Sequence, residues 1–476
     1  MKTILFVFLF VTCMVISKQE CNAQQDRPNV ILIMADDMGW GDTGYNGHPR
    51  IKTPHLDDMA NNGLRFSRFY SGGPVCSPTR GSCLTGRNPN RYGIFSANVG
   101  HLKKEEITLA GVFKTKDYAT GHFGKWHLGT LFPDFSGKGP KRDPKANYLT
   151  PGMSGFDEWF STEFAVATYD PYKLDKLHEF RGDRRRCYVE NGEVLKEDLT
   201  GCDSKIIMDR ALPFINKCVA EKKPFFTVIW FHAPHAPIVG HPKYMKELYA
   251  DCSEDQQHYY SVITALDVQV GRLRQELKEL GIDDNTIVCF TSDNGPEGNP
   301  GRRGRYQGSA GELRGRKRSL YEGGIRVPGI IEWPEKIKEA RVCDMPAVTS
   351  DYFSTFCDLL GYKVKDNRPY DGESLLPLIE KGKSKRKHNI GFWFTGHNQE
   401  ALSGNRYKLI HNIGDTRARS DNSKNLRQEF ELYDLINDPG ETKNIIADHP
   451  KVGKAMKKEL EVFINSCKNS EQGADY

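Results

Sequence analysis

Three short runs, far apart in a chain of 476 residues, carry side chains that could share one reaction. Asp36-Asp37 closes one apolar run and Asp293-Asn294-Gly295 closes another; between them lies Cys76-Ser77-Pro78-Thr79-Arg80-Gly81-Ser82-Cys83-Leu84-Thr85-Gly86-Arg87. Carboxylate and amide oxygens are hard donors, which suit Ca²⁺ or Mg²⁺ rather than zinc. Taken singly, each acidic pair also reads as a cap on the turn or helix after its strand. Proline is comfortable in the first turn of a helix, so a helix is expected to begin near Ser77 with Cys76 at its amino end. Free N–H groups and the helix dipole favour negative charge there, and Arg80, about one turn on, can return toward Cys76. The run thus places a reactive group in an anion-binding site with a fixed cation. The ordinary alternative for a cysteine in an exported chain is a structural or disulfide-bonded role.

These runs can meet only if the fold brings them together. Asn29 to Ala35, Phe225 to Phe231 and Thr286 to Thr291 are continuous apolar stretches, as expected of strands buried on both faces of a parallel sheet. Helix-like stretches lie at Pro54 to Asn62, Ser204 to Glu221 and Glu254 to Leu280, the last with Val262, Leu266, Val270 and Leu273 at helical spacing. Strands alternating with helices predict an α/β sheet covered on both sides, whose ligands bind at the carboxyl ends of the strands. Asp36-Asp37 and Asp293-Asn294 fall at such ends. A basic run, Lys381 to Lys387, reads as a solvated connector. Beyond it, strand-like Ile390 to Phe394, Tyr407 to His411 and Glu429 to Tyr433 and a helix near Val452 to Asn465 predict a smaller α+β subdomain. The expected division is residues 1–23 as a signal peptide, 24–380 as a catalytic domain and 381–476 as a C-terminal subdomain.

The 67 basic and 62 acidic residues nearly cancel, so no whole-molecule field steers the chain toward nucleic acid or anionic lipid. Met1 and Lys2, the apolar run Ile4 to Ile16, polar Ser17 to Glu20 and small Ala23 have the layout of a cleaved secretion signal. That run is shorter than the roughly 20 residues a membrane span needs. A periplasmic or secreted protein is expected, one that does not span the membrane. Of the 12 cysteines, Cys13 and Cys21 would leave with the signal. Cys187 and Cys202 flank a turn at Glu190-Asn191-Gly192-Glu193 and are the expected disulfide.

The extended run from Cys76 to Arg87 resembles the signature of the type I sulfatases, in which the cysteine of C-x-P-x-R is oxidised to formylglycine (3-oxoalanine). The resemblance continues, in the family's order, through PNVILIMADDMGWGD (Pro28 to Asp42), GKWHLG (Gly124 to Gly129), GFDEWF (Gly155 to Phe160), HAPHAP (His232 to Pro237), SDNGPE (Ser292 to Glu297) and LRGRKRSLYEGGIRVP (Leu313 to Pro328). It implies an alkaline-phosphatase-like fold, a large mixed sheet sandwiched between helices. It also implies that Asp36, Asp37, Asp293 and Asn294, with an oxygen of the modified Cys76, hold a calcium ion. Arg80 is expected to hold the formylglycine hydrate, while Lys125, His127 and Lys317 contact the sulfate and its leaving oxygen. The family's general acid is best matched by His235, with His232 the alternative because the motif repeats after three residues. His127 is the matching base. Trp126, Trp159 and Trp230 read as core or wall residues, and Cys83 as structural.

A sulfate ester is a tetrahedral anion with a poor alkoxide leaving group. Its hydrolysis needs charge neutralised on the non-bridging oxygens, a nucleophile, and a proton for the departing oxygen. The expected substrate is a sulfated carbohydrate cleaved in an exo manner, and the expected partner a formylglycine-generating enzyme. The motif run most resembles the branch that includes the N-acetylgalactosamine-6-sulfatases. Phe164 to Tyr172, Gly298 to Gly311 and the stretch near His397 are the candidate sugar-binding segments, with Arg302, Arg303 and Arg305 on a Gly-rich loop. The rival readings are a phosphodiesterase or phosphonate monoester hydrolase of the same superfamily, and a glycan-binding homologue without catalysis.

Overall fold

The computed structural model describes residues 27–138, 142–172, 187–298, 305–414 and 428–476. The expected signal peptide lies outside the described residues, as do Arg302 and Arg303. Strands β1 (Asn29–Ala35), β2 (Leu64–Phe66), β3 (Phe69–Tyr70), β4 (Ala119–Lys125), β5 (Glu158–Thr162), β6 (Val189–Glu190), β7 (Glu193–Val194), β8 (Phe225–Trp230), β9 (Thr286–Ser292), β10 (Arg326–Val327), β11 (Gly329–Glu332), β12 (Arg341–Cys343) and β13 (Ala347–Val348) form two sheets. The larger runs in the order β12-β2-β11-β9-β1-β8-β4-β5-β6-β7, and the smaller is β10-β3-β13. At the centre of the larger sheet β9, β1, β8, β4 and β5 are parallel, while β11 pairs antiparallel to β9. This is the predicted mixed sheet.

The three apolar runs are its buried strands. Val30 to Ala35 and Phe225 to Trp230 are almost wholly excluded from solvent, as continuous hydrophobicity requires when helices cover both faces. Each fully buried Ile, Leu or Phe contributes about 1.5–3 kcal/mol of transfer free energy. The helices Pro54–Asn62, Asp203–Ala220 and Glu254–Glu279 match the predicted stretches to within a residue. The last begins at a capping box in which Ser253 Oγ accepts from Gln256 N–H and the Gln256 side chain accepts from Ser253 N–H.

Beyond residue 389, strands β14 (Ile390–Phe394), β15 (Gln399–Ser403), β16 (Tyr407–Asn412) and β17 (Phe430–Asp434) form an antiparallel sheet in sequential order. The helix Pro450–Glu471 packs Met456, Leu460 and Ile464 against Leu402, Leu409 and Leu432.

Two expectations are corrected. No disulfide joins Cys187 and Cys202 in the described residues. The hairpin pairs Val189 with Val194 and Glu190 with Glu193. Extending that register places Lys196, not Cys202, opposite Cys187; Cys202 instead precedes the helix Asp203–Ala220. The basic run Lys381 to Lys387 is also not uniformly solvated. Arg386 is only 4% exposed and forks onto Asp351, with its two terminal nitrogens 2.6 and 2.8 Å from the carboxylate oxygens.

Removing one partner of such a pair leaves a buried charge unmatched. Arg386→Ala is expected to destabilise the protein by about 3–5 kcal/mol, read from its urea denaturation midpoint. The exposed Lys385→Ala should stay within about 0.5 kcal/mol.

Candidate active site

Strand register builds the floor of the site. β1 lies between β8 and β9 with Met34 opposite Trp230 and Ala35 opposite Ser292, so the next residues emerge at one sheet edge. Asp36 N–H donates to Ala233 O (3.0 Å) and Asp293 N–H donates to Ala35 O (3.1 Å), which holds the two acidic turns side by side. Two glycines permit the close approach. A Cβ at Gly124, which has φ +104, would lie 2.0 Å from Trp230 O; one at Gly295 would lie 2.0 Å from Gly323 O. Lys125 and Asn294 are thereby drawn inward.

The predicted helix is present as Cys76–Thr85, with Cys76 its first residue, Val75 extended before it and Gly86 (φ +70) closing it. All ten of its residues are buried. Arg80 Nε and one terminal nitrogen lie 3.2 and 2.7 Å from Asp293 Oδ2, the other terminal nitrogen donates to Lys125 O (3.1 Å), and the guanidinium lies 5.1 Å from the centre of the Trp230 ring. Trp230 is therefore a wall that fixes Arg80. Trp126 and Trp159 are buried in the core, and so is Cys83.

The carboxylates and cations interlock. Lys125 Nζ is 2.6 Å from Asp36 Oδ2, and Lys317 Nζ is 2.5 and 2.7 Å from the two oxygens of Asp37. Asn294 Nδ2 donates to Asp37 Oδ1 (2.7 Å), and Asp37 N–H donates to Asp293 Oδ1 (3.0 Å). Burial alone would raise the Asp37 carboxyl, but Lys317, His235 and Lys125 hold it well below the usual carboxylate range. Burial and the neighbouring Asp36 push Asp293 up to about 6, against Arg80 and Lys125. Burial also pushes the Cys76 thiol up to about 12, against the pull of Lys125 and Lys317. Burial thus disfavours the thiolate, the nucleophilic form of the unmodified residue.

The residues present fit a hard divalent cation. Asp36 Oδ1 and Asn294 Oδ1 are buried without a hydrogen-bond partner among the described residues, an expense usually relieved by an ion or water. Ligand atoms of Asp36, Asp37, Cys76 and His235 lie within 4.8 Å of one another. The charges of Asp36, Asp37 and Asp293 are offset by Arg80, Lys125 and Lys317, so a divalent ion would add a positive surplus suited to an anionic substrate.

The histidines separate clearly. His232 is fully buried and satisfied, with Nδ1 2.8 Å from Asp203 Oδ2 and Nε2 2.7 Å from Thr162 Oγ1. His235 lines the open cavity, its Nδ1 2.6 Å from Ala236 O and its Nε2 3.7 Å from Asp37 Oδ2. A carbonyl only accepts, so Nδ1 carries the proton and Nε2 is the exchangeable atom. Burial, with Lys125 and Lys317, lowers the His235 pKa to about 3, against Asp37. Burial likewise holds His127 well below its ordinary value, with Lys125 and Arg80 adding to the effect. His127 Nε2 is 2.8 Å from Asn98 Oδ1, which fixes Nε2–H as the donor and leaves Nδ1 buried without a hydrogen-bond partner among the described residues.

These side chains border a cavity of about 490 Å³ lined by Cys76, Lys125, His127, His235 and Lys317. Its outer wall includes Phe164 and His397, from two of the three predicted sugar-binding segments. Arg305, from the third, instead donates to Ile238 O (2.7 Å). Sequence reasoning missed Asn98, Lys138, Glu297 and Arg318. Glu297 stands inside the SDNGPE run and pairs with Arg318, which stands inside the LRGRKRSLYEGGIRVP run, at 2.5 Å; Asn98 and Lys138 carry no local signal.

A family model described as Sulfatase matches residues 28–362, and one for the N-sulphoglucosamine sulphohydrolase C-terminal region matches residues 315–466. The mouse N-acetylgalactosamine-6-sulfatase is 33% identical over 403 residues, covering 80% of this chain and 71% of the relative. Human arylsulfatase A is 31% identical, covering 90% and 86%. Among solved structures, Ps i-CgsB in complex with k-i-k-neocarrahexaose superposes with a TM-score of 0.78 at 27% identity, covering 94% of each chain. The phosphonate monoester hydrolase of Agrobacterium radiobacter shares the fold, with a TM-score of 0.62 at 19% identity, covering 93% of this chain and 96% of that one.

Proposed function

The chain belongs to the sulfatase family and is a sulfuric ester hydrolase, and from that premise we propose that it removes sulfate from the end of a sulfated carbohydrate, using formylglycine made from Cys76 by a maturation enzyme and calcium held by Asp36, Asp37, Asp293 and Asn294. The observation that carries this reading is that Cys76, Lys125 and Lys317 line a cavity sized for a sugar, and that Lys125, Lys317 and Arg80 pair with three buried aspartates. The carbohydrate also fits the relatives, one an N-acetylgalactosamine-6-sulfatase and one solved in complex with k-i-k-neocarrahexaose. The layout of residues 1–23 supports export to the periplasm or medium.

When present, the ion supplies charge that lowers the proton affinity of the nucleophile, and the aldehyde hydrate supplies two hydroxyls on one carbon. The chain's own residues do the rest. Lys125 and Lys317 place two ammonium groups on the cavity face, where the non-bridging sulfate oxygens need compensation. Arg80, clamped by Asp293 and Trp230, keeps the amino end of the helix rigid. His235 Nε2 faces the cavity and transfers a proton to the leaving oxygen; the burial that disfavours its imidazolium is offset when an anion sits beside it. His127, held by Asn98, offers Nδ1 as the base.

His235→Ala is expected to lower kcat on alkyl and sugar sulfates by about 10²–10³. Aryl sulfates, whose leaving groups need little protonation, should lose less than about tenfold, and a leaving-group series reads the difference. The assignment itself is tested by incubating the matured protein with defined sulfated mono- and disaccharides and paired aryl sulfate and aryl phosphonate esters, following free sulfate and phosphonate. Sulfate release from a sugar is expected. Release from none of the sugars removes the carbohydrate, and a strong phosphonate preference replaces the reaction.

A further inference from the structure

Four cationic side chains reach the cavity wall: Lys125, Lys317, Arg318 and Lys138. Three are already matched, Lys125 to Asp36, Lys317 to Asp37 and Arg318 to Glu297. Among the described residues Lys138 alone of the four forms no ion pair; its Nζ lies 4.4 Å from the centre of the Phe164 ring, which also lines the cavity. The placement is built. Ser136 Oγ donates to one oxygen of Glu163 (3.0 Å) and Gly137 N–H to the other (3.1 Å), while Lys138 N–H donates to Ser136 Oγ (3.2 Å). Glu163 thus staples the Lys138 segment to the end of β5, beside Phe164, and its charge also faces Arg142 at 3.7 Å. Burial and the nearby charge of Lys125 both act against the Lys138 ammonium and lower its pKa. An anion beside it relieves both effects.

We infer that Lys138 and Phe164 form a subsite for a second anionic group of the carbohydrate, a carboxylate or a further sulfate, with the Phe164 ring as the flat wall against the sugar. The inference rests on the carbohydrate reading above and narrows it to glycans with more than one negative charge. The Lys138 ammonium would approach the second anion as a charge-assisted donor, and the half-buried Phe164 ring would pack on the C–H face of the sugar. Neither residue is needed for the sulfate being removed, which Lys125 and Lys317 receive.

The test measures binding apart from turnover. The full-length Cys76→Ala protein, in calcium, is titrated calorimetrically with N-acetylgalactosamine 6-sulfate, N-acetylgalactosamine 4,6-disulfate and the uronate-containing chondroitin 6-sulfate disaccharide. The second anion is expected to tighten binding at least about tenfold over the monosulfate. Adding Lys138→Gln should shrink that gain below about threefold, Lys138→Arg should restore it, and Phe164→Ala should weaken all three probes. A gain with the disulfate alone assigns the subsite to sulfate, and with the disaccharide alone to carboxylate. Equal affinities, a gain that survives Lys138→Gln, equal weakening of all probes by Lys138→Gln, or no binding of any probe overturns the subsite. Parallel sulfate release by the matured protein keeps the two readings apart: release without the gain sinks the subsite alone, and the gain without release sinks the hydrolytic reading alone.

Discussion

Cys76→Ser is expected to fold normally yet to lose steady-state sulfate release by at least about four orders of magnitude, as happens when a nucleophile that acts as one unit with its neighbours is removed. Serine has nearly the volume of cysteine and is well tolerated in the first turn of a helix, so the buried start of Cys76–Thr85 should survive. The chemistry separates the two residues. A serine hydroxyl can attack sulfur once, with Lys125 and Lys317 neutralising the sulfate oxygens and His235 protonating the departing alcohol. The resulting serine sulfate has no second hydroxyl on the same carbon whose deprotonation would expel sulfate. Intact-mass measurement after incubation with an aryl sulfate should therefore find the serine variant heavier by one sulfo group, with a single burst of alcohol and no free sulfate. Continued turnover within about tenfold of the parent, or full activity in a preparation whose residue 76 is still a thiol, would refute the formylglycine reading. The burial of Cys76 favours the expected outcome, because it disfavours the thiolate that a competing route would need.

How much of this was legible in the chain follows from where each residue's environment is written. β1 and β9 were readable because strands buried on both faces must be apolar throughout, and their register then fixed Asp36 beside Asp293 without further information. The preference for His235 over His232 came from the family resemblance and not from the residue pattern itself. Both sit in one repeated motif, and only the partners contributed by Asp203 and Thr162, from distant elements, show that His232 is a satisfied core residue. Arg386 misled for the same reason: its run looks like any exposed basic connector until the helix Asp351–Leu359 presents a buried carboxylate to it. Asn98, with φ +63, is placed by backbone geometry that no neighbouring residue announces. Local pattern encoded the strands, the helices and the reactive run; long-range packing decided which polar residues face the cavity.

Asp36→Asn should produce the second large loss, about 10³-fold in kcat/KM, together with the disappearance of any calcium response. Asparagine keeps an oxygen that can accept from Lys125 Nζ, so the buried lysine is not stranded and the fold is spared the larger cost of an unpaired ammonium. What it removes is a charge in a site where Asp36 Oδ1 and Asn294 Oδ1 are buried without hydrogen-bond partners among the described residues and where a hard cation draws on carboxylate charge for its affinity. Chelation of the parent protein should act alike on activity and also on stability. An ion present at a hundred times its Kd stabilises the folded state by about 2.7 kcal/mol. In a chain of this length that corresponds to a fall in Tm of roughly 3 °C on chelation. The Asn variant should show the lower Tm from the outset and no shift on adding calcium. A variant that keeps both its turnover and its calcium-dependent Tm would place the ion elsewhere, whereas one that loses turnover but keeps the Tm shift would show that Asp36 serves Lys125 and not the metal.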